Sequence, residues 1–339
     1  MNKDRPPKPT LRTVAAAAGV SQMTASRALR GGGDVSDATR ARVHAAAGQL
    51  GYVPNRIAGA LASRHVNLVG VVFPSLSSTV FPEVLAGITE TLGKTPLQPV
   101  VGVSGYDLER EETVIRDMLS WRPAGLIVAG LEHSDASRRM LANANIPVVE
   151  VMDVDGTPVD RCVGISHDLA GRMMATEILS RGYRNIGFIG TKMPQDFRAR
   201  KRCQGFEAVL AEAGLALVDR QQYTGGSTLA KGRELTGALL ARSPEIDCIY
   251  YSSDTMCAGG LMHCLSAGLS VPQDLALAGF NNLDLLAGLP LRLATTDSHR
   301  FAIGQKAAAM IRDGAVHGTG DKAPKVIALT PTVSAGESL

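Results

Sequence analysis

Three constellations in this chain of 339 residues have side-chain types suited to catalysis or metal binding. In "ISHDLAG", Ser166, His167 and Asp168 supply a nucleophile, a base and a carboxylate. Side by side in one segment they cannot converge on a single reacting atom, and Asp168 is expected to cap a helix. In "CAGGLMHC", Cys257, His263 and Cys264 offer three ligands where a structural zinc ion needs four, and the run reads as a core-facing helix. "RGGGDVS" follows a helix rather than a strand and lacks both G-x-G-x-x-G spacing and a phosphate-loop lysine, so it reads as a plain loop. Neither G-x-S-x-G nor H-E-x-x-H occurs. The expectation is therefore no enzyme, no cofactor and no metal.

The chemistry that remains is recognition. "VSQMTASRAL", Val20 to Leu29, has hydroxyls, an amide and a guanidinium at helical spacing but a poor apolar stripe. Ahead of it, "LRTVAAAAGV" follows Thr10, an N-cap residue, and stops at Gly19; Ser21 then caps a second helix from Gln22 to Leu29. Two short helices joined by Gly19, Val20 and Ser21 read as a helix-turn-helix, with Ala15, Ala25 and Ala28 small enough for close crossing. On this reading the outer face of the second helix is free for a DNA groove, where Arg27 suits guanine O6 and N7 and Gln22 suits adenine. A third amphipathic helix is expected from Ser36 to Gln49.

Charge agrees with that picture. Residues 1 to 65 hold ten Lys/Arg against three Asp, a net +7, which leaves −4 for the remainder of a chain whose overall charge is +3. A basic head facing a polyanion and an ordinary acidic body fit this asymmetry. The five cysteines are odd in number and scattered, which argues against a disulfide framework and for a reducing compartment. "MNKDRPPKPT" is polar and proline-rich, unlike a secretion signal, and no stretch approaches the roughly 18 apolar residues of a membrane span. The expected setting is the cytoplasm, with no membrane partner.

The run "TLRTVAAAAGVSQMTASRALRGGGDVSDATRARVHAAAGQLGYVPNRIAGALAS" resembles the DNA-binding head of the lactose-repressor (LacI/GalR) family of bacterial transcription regulators. The resemblance implies that Gln22, Met23 and Arg27 read bases, while Ser21, Thr24 and Ser26 touch phosphate or groove. It also implies that "YVPNR" leads into a hinge helix that enters the minor groove as a pair, with Asn55 on backbone phosphate and Leu61 as an apolar wedge at a base step. One head covers a half-site, so a homodimer on a near-palindromic operator is expected.

From Asn67 short apolar strands alternate with helices: "LVGVVFP", Phe81 to Leu92, "PVVGVSG", Leu108 to Ser120, "AGLIVAG" and "IPVVEVMD", resuming at Ile186 to Gly190, Cys248 to Ser252 and Leu275 to Phe280. This βα alternation predicts an α/β body of two doubly wound parallel-sheet lobes. With the resemblance it becomes a periplasmic-binding-protein-like body closing on a small ligand. The organisation expected is an all-α helix-turn-helix head at residues 1–53, a hinge and linker at 54–66, and an effector-binding and dimerisation domain at 67–339. Lobe 1 is expected at about 67–164 and 295–323, lobe 2 at about 165–294 and 324–339.

Resemblance places the effector contacts at Ser75, Phe81, Arg202, Ser253, Asn281 and His299, with Asp254 structural. Members that bind neutral sugars usually carry aspartate where Asn281 stands and often asparagine where Ser253 stands. An aspartate clamps sugar hydroxyls and repels an anion, whereas Asn281 with Arg202 and His299 offers donors for a carboxylate. "SQMTASRALRG", "PSLSSTVFPEVLAGI", "MLSWRPAGLIVAG" and "IPVVEVMD" look closest to the gluconate-utilisation repressors, so gluconate or a keto derivative is the expected effector. The competing readings are a regulator of the same family answering to a neutral sugar or nucleoside, and a sugar-binding receptor without DNA function. The basic head speaks against the receptor.

Overall fold

In the computed structural model, residues 8–30, 35–54, 66–77, 79–317 and 325–339 are described. The chain divides into Met1–Val66 and Asn67–Leu339. In the first unit α1 (Leu11–Ala18) is opened by a reciprocal cap between Thr10 and Thr13 and closed by Gly19 in the left-handed region, φ 67°. That backbone costs glycine nothing and would strain another residue. After it come α2 (Gln22–Leu29), capped by Ser21, and α3 (Asp37–Leu50), capped by Ser36. Val14, Ala15, Ala25, Ala28, Val43 and Ala47 meet between the three helices. Alanines at the crossings let short helices approach closely, so the core is small and intolerant of added volume.

The second unit has two lobes. Lobe 1 begins with β1 (Val66–Phe73), α4 (Val80–Leu92), β2 (Gln98–Val103), α5 (Leu108–Ser120), β3 (Pro123–Ala129), α6 (Asp135–Ala142), β4 (Val148–Asp153) and β5 (Arg161–Ile165). Lobe 2 holds α7 (His167–Ser180), β6 (Ile186–Thr191), α8 (Phe197–Glu212), β7 (Asp219–Tyr223), α9 (Leu229–Arg242), β8 (Cys248–Tyr251), α10 (Asp254–Ala267) and β9 (Ala276–Ala278). Then follow β10 (Thr295–Asp297), α11 (Arg300–His317), β11 (Lys325–Leu329) and β12 (Thr332–Ser334). The sheet orders are β11-β5-β4-β3-β1-β2 and β7-β6-β8-β9, with β10 and β12 as a separate antiparallel pair. The strands of the second sheet run parallel, as do β1–β2, β3–β4, β4–β5 and β5–β11 in the first.

The lobe boundaries near the C-terminus differ from those expected. Thr295–Asp297 stays with lobe 2, through bridges from Ala278 to Ala294 and from Asn281 to Asp297, so lobe 1 resumes at α11. Residues 325–329 belong to lobe 1 and not to lobe 2, because β11 pairs in parallel with β5. Without β11, β5 would be an edge strand with all five of its residues buried and the backbone groups on the side away from β4 unpaired. After that strand the chain returns, and Ser338 joins lobe 2 by bonding Leu277 and Ala294.

Three helix pairs carry the packing of the body, and each crosses at facing glycines. A Cβ at Gly87 would meet the Phe301 carbonyl and one at Gly304 the Val84 carbonyl, which brings α4 and α11 into backbone contact. Gly171 and Gly205 do the same for α7 and α8, and Gly232 and Gly259 for α9 and α10.

Candidate effector cavity and DNA-reading helix

On α2 the caps and the exposed face are separate sets. Ser21 Oγ accepts from the Thr24 backbone N–H at 3.1 Å and lies 2.9 Å from Thr24 Oγ1. Ala25 and Ala28 point inward, while Gln22, Met23 and Arg27 are exposed, Met23 by 65%. Ser26 is half-buried beside them, and its carbonyl accepts from Arg30 at 3.2 Å. A two-thirds exposed methionine beside an amide and a guanidinium is a contact surface rather than a core face. Asn55 and Leu61 lie outside the described residues.

In the body a cavity opens between the lobes at the carboxyl ends of the strands, where open α/β sheets take their ligands. Ser75, Phe81, Arg202, Ser253 and Asn281 all line it. His299 does not. It occupies the turn from β10 to α11 at φ 52°, its N–H donates to Asp297 at 2.7 Å, and its Nε2 is 2.8 Å from the Thr330 carbonyl. The turn aims the ring toward the returning C-terminal strand, away from the ligand space. Two of the lining residues are partly committed elsewhere. Ser253 is the N-cap of α10, 3.5 Å from the Met256 N–H, and Asn281 Oδ1 accepts from Ser298 Oγ at 3.3 Å, which leaves the amide NH2 as the donor available to the cavity.

Several lining residues escaped the sequence reading: Tyr106, His167, Lys192, Asp196 and, above all, Arg198. Arg198 and Arg202 stand four apart on α8, on one face, and both are buried. In "FRARKR", which crowds four cations into six residues, that i, i+4 spacing is the available signal. Arg202 Nη1 is 2.9 Å from His167 Nδ1, Nη2 donates to the Ser252 carbonyl at 3.1 Å, and the guanidinium stacks 3.7 Å from the Phe280 ring. His167 Nε2 is 2.8 Å from the Met152 carbonyl, which accepts its proton, so Nδ1 is the acceptor facing Arg202. Burial first, then the charge of Arg202, hold this imidazole far below its ordinary pKa, and it is neutral. Burial, together with the charge of Asp196, pushes the Tyr106 hydroxyl up to about 12.

The lobes are held across the cavity by charge. Lys201 on α8 reaches Glu132 and Asp153 of lobe 1, both at 2.6 Å, and the Asp155 carbonyl at 2.9 Å. Lys192 lies over the Tyr106 ring at 4.7 Å and Arg198 over Phe81 at 5.5 Å. Asp168 is not the helix cap of the sequence reading. Ser166 caps α7, and Asp168 sits in the first turn, paired with Arg172 at 3.0 Å. Asp254 is fully buried and accepts from Thr295 Oγ1 and the Leu283 N–H, a structural post as expected. All five cysteines are buried and unpaired. Among the described residues no three His, Cys, Asp or Glu are placed to hold a metal, and no helix is long and apolar enough to cross a membrane.

A three-helix head presenting exposed donors, followed by a two-lobed α/β body with a charged inter-lobe cavity, is the architecture of a ligand-responsive DNA-binding regulator. Residues 10–55 match the bacterial regulatory proteins of the lacI family, and residues 67–327 match the periplasmic binding proteins and sugar binding domain of the LacI family. The chain belongs to the LacI family: it is a DNA-binding transcriptional regulator and not an enzyme. It is 38% identical to the HTH-type transcriptional regulator GntR of Pseudomonas aeruginosa, over 89% of this chain and 88% of that one. To the HTH-type transcriptional regulator GntR of Escherichia coli K12 it is 34% identical, over 98% and 99% of the two chains. A LacI-family transcriptional regulator from Silicibacter pomeroyi, solved by crystallography, is 59% identical and superposes with a TM-score of 0.94, covering 97% of this chain and 99% of that one.

Proposed function

We propose that this regulator is a homodimeric repressor of sugar-acid catabolism in the bacterial cytoplasm, released from a near-palindromic operator when gluconate or a ketogluconate occupies the inter-lobe cavity. The observation that carries the reading is the charge of that cavity. Lys192, Arg198 and Arg202 line it against the single carboxylate of Asp196, and Asn281 offers an uncharged amide. Such a wall favours an anion, and the serines Ser75 and Ser253 supply hydroxyl partners for a polyol. On the DNA side, Gln22, Met23 and Arg27 read bases and Ser21, Thr24 and Ser26 contact backbone or groove. Asn55 and Leu61 engage phosphate and the minor groove.

Titration calorimetry of the full chain against gluconate, 2-ketogluconate and glucose tests the effector class. Binding of an acid with no heat from glucose is expected, and glucose binding without a response to either acid would overturn the reading. Selection of duplexes from a random DNA library should return a two-fold symmetric site, and the acid that binds should lower affinity for it. Coupling is reciprocal, so the operator complex must bind that acid correspondingly more weakly.

A further inference from the structure

We propose that the effector carboxylate is received by Arg198, and that Arg202 is a positioning residue that orders the cavity wall around His167 and Ser252. The assignment rests on the sugar-acid reading and places its charged end.

The two guanidiniums are in opposite conditions. That of Arg202 is largely committed: its terminal nitrogens serve the His167 ring and the Ser252 carbonyl, its face lies on Phe280, and Nε is left without a hydrogen-bond partner among the described residues. A carboxylate could take those two N–H groups only by stripping a buried imidazole nitrogen and a carbonyl of their partner, and the buried Nε offers it a single N–H. Each group so orphaned costs about 1–3 kcal/mol.

Arg198 is as buried, 9% exposed against 6%, yet among the described residues it donates no hydrogen bond to a carbonyl or a carboxylate. The nearest acid oxygen, Asp196 Oδ1, is 3.8 Å from Nε, and Nη1 faces the bare backbone of Gly130, where even a Cβ would come within 3.2 Å. The Tyr106 hydroxyl lies beside the guanidinium and stays protonated. A desolvated guanidinium carries five donors in a fork shaped for a carboxylate, and the hydrogen bond of Arg198 with the Tyr106 hydroxyl leaves most of them without acceptors. A planar anion entering the cavity supplies those acceptors, with Tyr106 as a further donor. Asp196 moderates the local positive charge from beyond hydrogen-bonding distance.

Calorimetry of the full chain with gluconate and with glucitol, the same polyol with a CH2OH in place of the carboxylate, isolates the contribution of the acid group. The wild type is expected to prefer gluconate by about 10- to 100-fold, the range of a charge-assisted contact. Arg198→Gln should erase that preference, and Arg198→Lys, which keeps the charge without the fork, should retain part of it and guards against a folding defect in the glutamine variant. Arg202→Gln should weaken both probes together and leave their ratio intact. It should also let the His167 ring, relieved of an adjacent cation, titrate at higher pH by NMR, a larger rise than Arg198→Gln produces, because both guanidiniums depress that ring and Arg202 does so more strongly. A preference that survives both Arg198 variants and vanishes in Arg202→Gln would overturn the assignment and leave the sugar-acid reading in place. Glucitol bound as tightly as gluconate by the wild type would overturn both.

Discussion

The head and the body put their working side chains in opposite places. On α2 the proposed reading residues Gln22, Met23 and Arg27 stand in solvent, and what is buried beneath them is alanine and valine. In the body Arg198, Arg202 and His167 lie buried in the cavity wall, and a further charged cluster, His133 with Glu111 and Glu150, is buried in lobe 1. Recognition and stability therefore rest on different residues in the head and on shared residues in the body. A buried charge stripped of its partner costs far more than an exposed one, so changes of ligand chemistry in the cavity also disturb folding. The same change on α2 is nearly free for the fold.

The sharpest way to probe the body's half of this contrast is at a helix crossing. Gly205 faces the Asp168 carbonyl, and the two arginines ride on the same helix, so Gly205→Val must push α8 away from α7. Overpacking against backbone should cost about 3 kcal/mol, read as a lower urea midpoint, and should abolish gluconate binding as the guanidiniums move. For the head, Arg27→Ala should cost about 1–3 kcal/mol of operator affinity per half-site and relax the base preference there. Its urea midpoint should not move. Loss of stability on the scale of its loss of binding would erase the distinction between the two regions.

The buried cluster of lobe 1 adds a pH dependence to the stability of the body. His133 Nδ1 is 2.6 Å from Glu111 and Nε2 is 3.3 Å from Glu150. Burial disfavours the charged ring, but the hydrogen bond to Glu111 and the ion pair with Glu150 outweigh it and raise the pKa from 6.5 to about 9. Because the folded value lies above the unfolded one, the stabilisation is complete below about pH 6.5 and is lost as pH rises through about 9. A fall of about 3 kcal/mol in unfolding free energy between those limits is expected for the wild type. His133→Gln should flatten it, and a profile with the same slope in both proteins would show that His133 is not its source.

What the sequence makes legible follows from the same contrast. The head is read by one contiguous stretch, in which Thr10, Ser21 and Ser36 mark the three helix starts, Gly19 marks the end of α1, and the exposed face repeats at helical spacing. Strands such as β1 and β4 announce themselves as apolar runs. The polar β7, Asp219–Tyr223, and the three-residue β10 and β12 carry no such pattern, because their place is set by the sheet beside them. The cavity is harder still: it draws on loops from both lobes, and which of four neighbouring cations faces it depends on the orientation of α8. Family resemblance supplied Arg202, Ser253 and Asn281, but it also supplied His299, whose ring turns away. Arg198, four residues before Arg202, needed only the helical period. The glycine pairs at the helix crossings are visible as letters but acquire meaning only when the partner helix is known.

The mildest test of the contrast lies at its boundary, a head residue with both a fold role and a DNA role. Ser21 Oγ accepts from the Thr24 N–H at 3.1 Å, satisfying one of the open donors at the start of α2, and the residue is exposed at the end of the reading face. Ser21→Ala should cost about 1 kcal/mol of head stability through the lost cap. Ser21→Asp restores the cap and its interaction with the helix dipole, but sets a carboxylate against phosphate. It should therefore fold as well as the wild type while binding operator more weakly, with a shallower dependence of affinity on salt. If the alanine and aspartate variants instead lost DNA affinity in step with their stability, Ser21 would act on DNA only through the helix it caps.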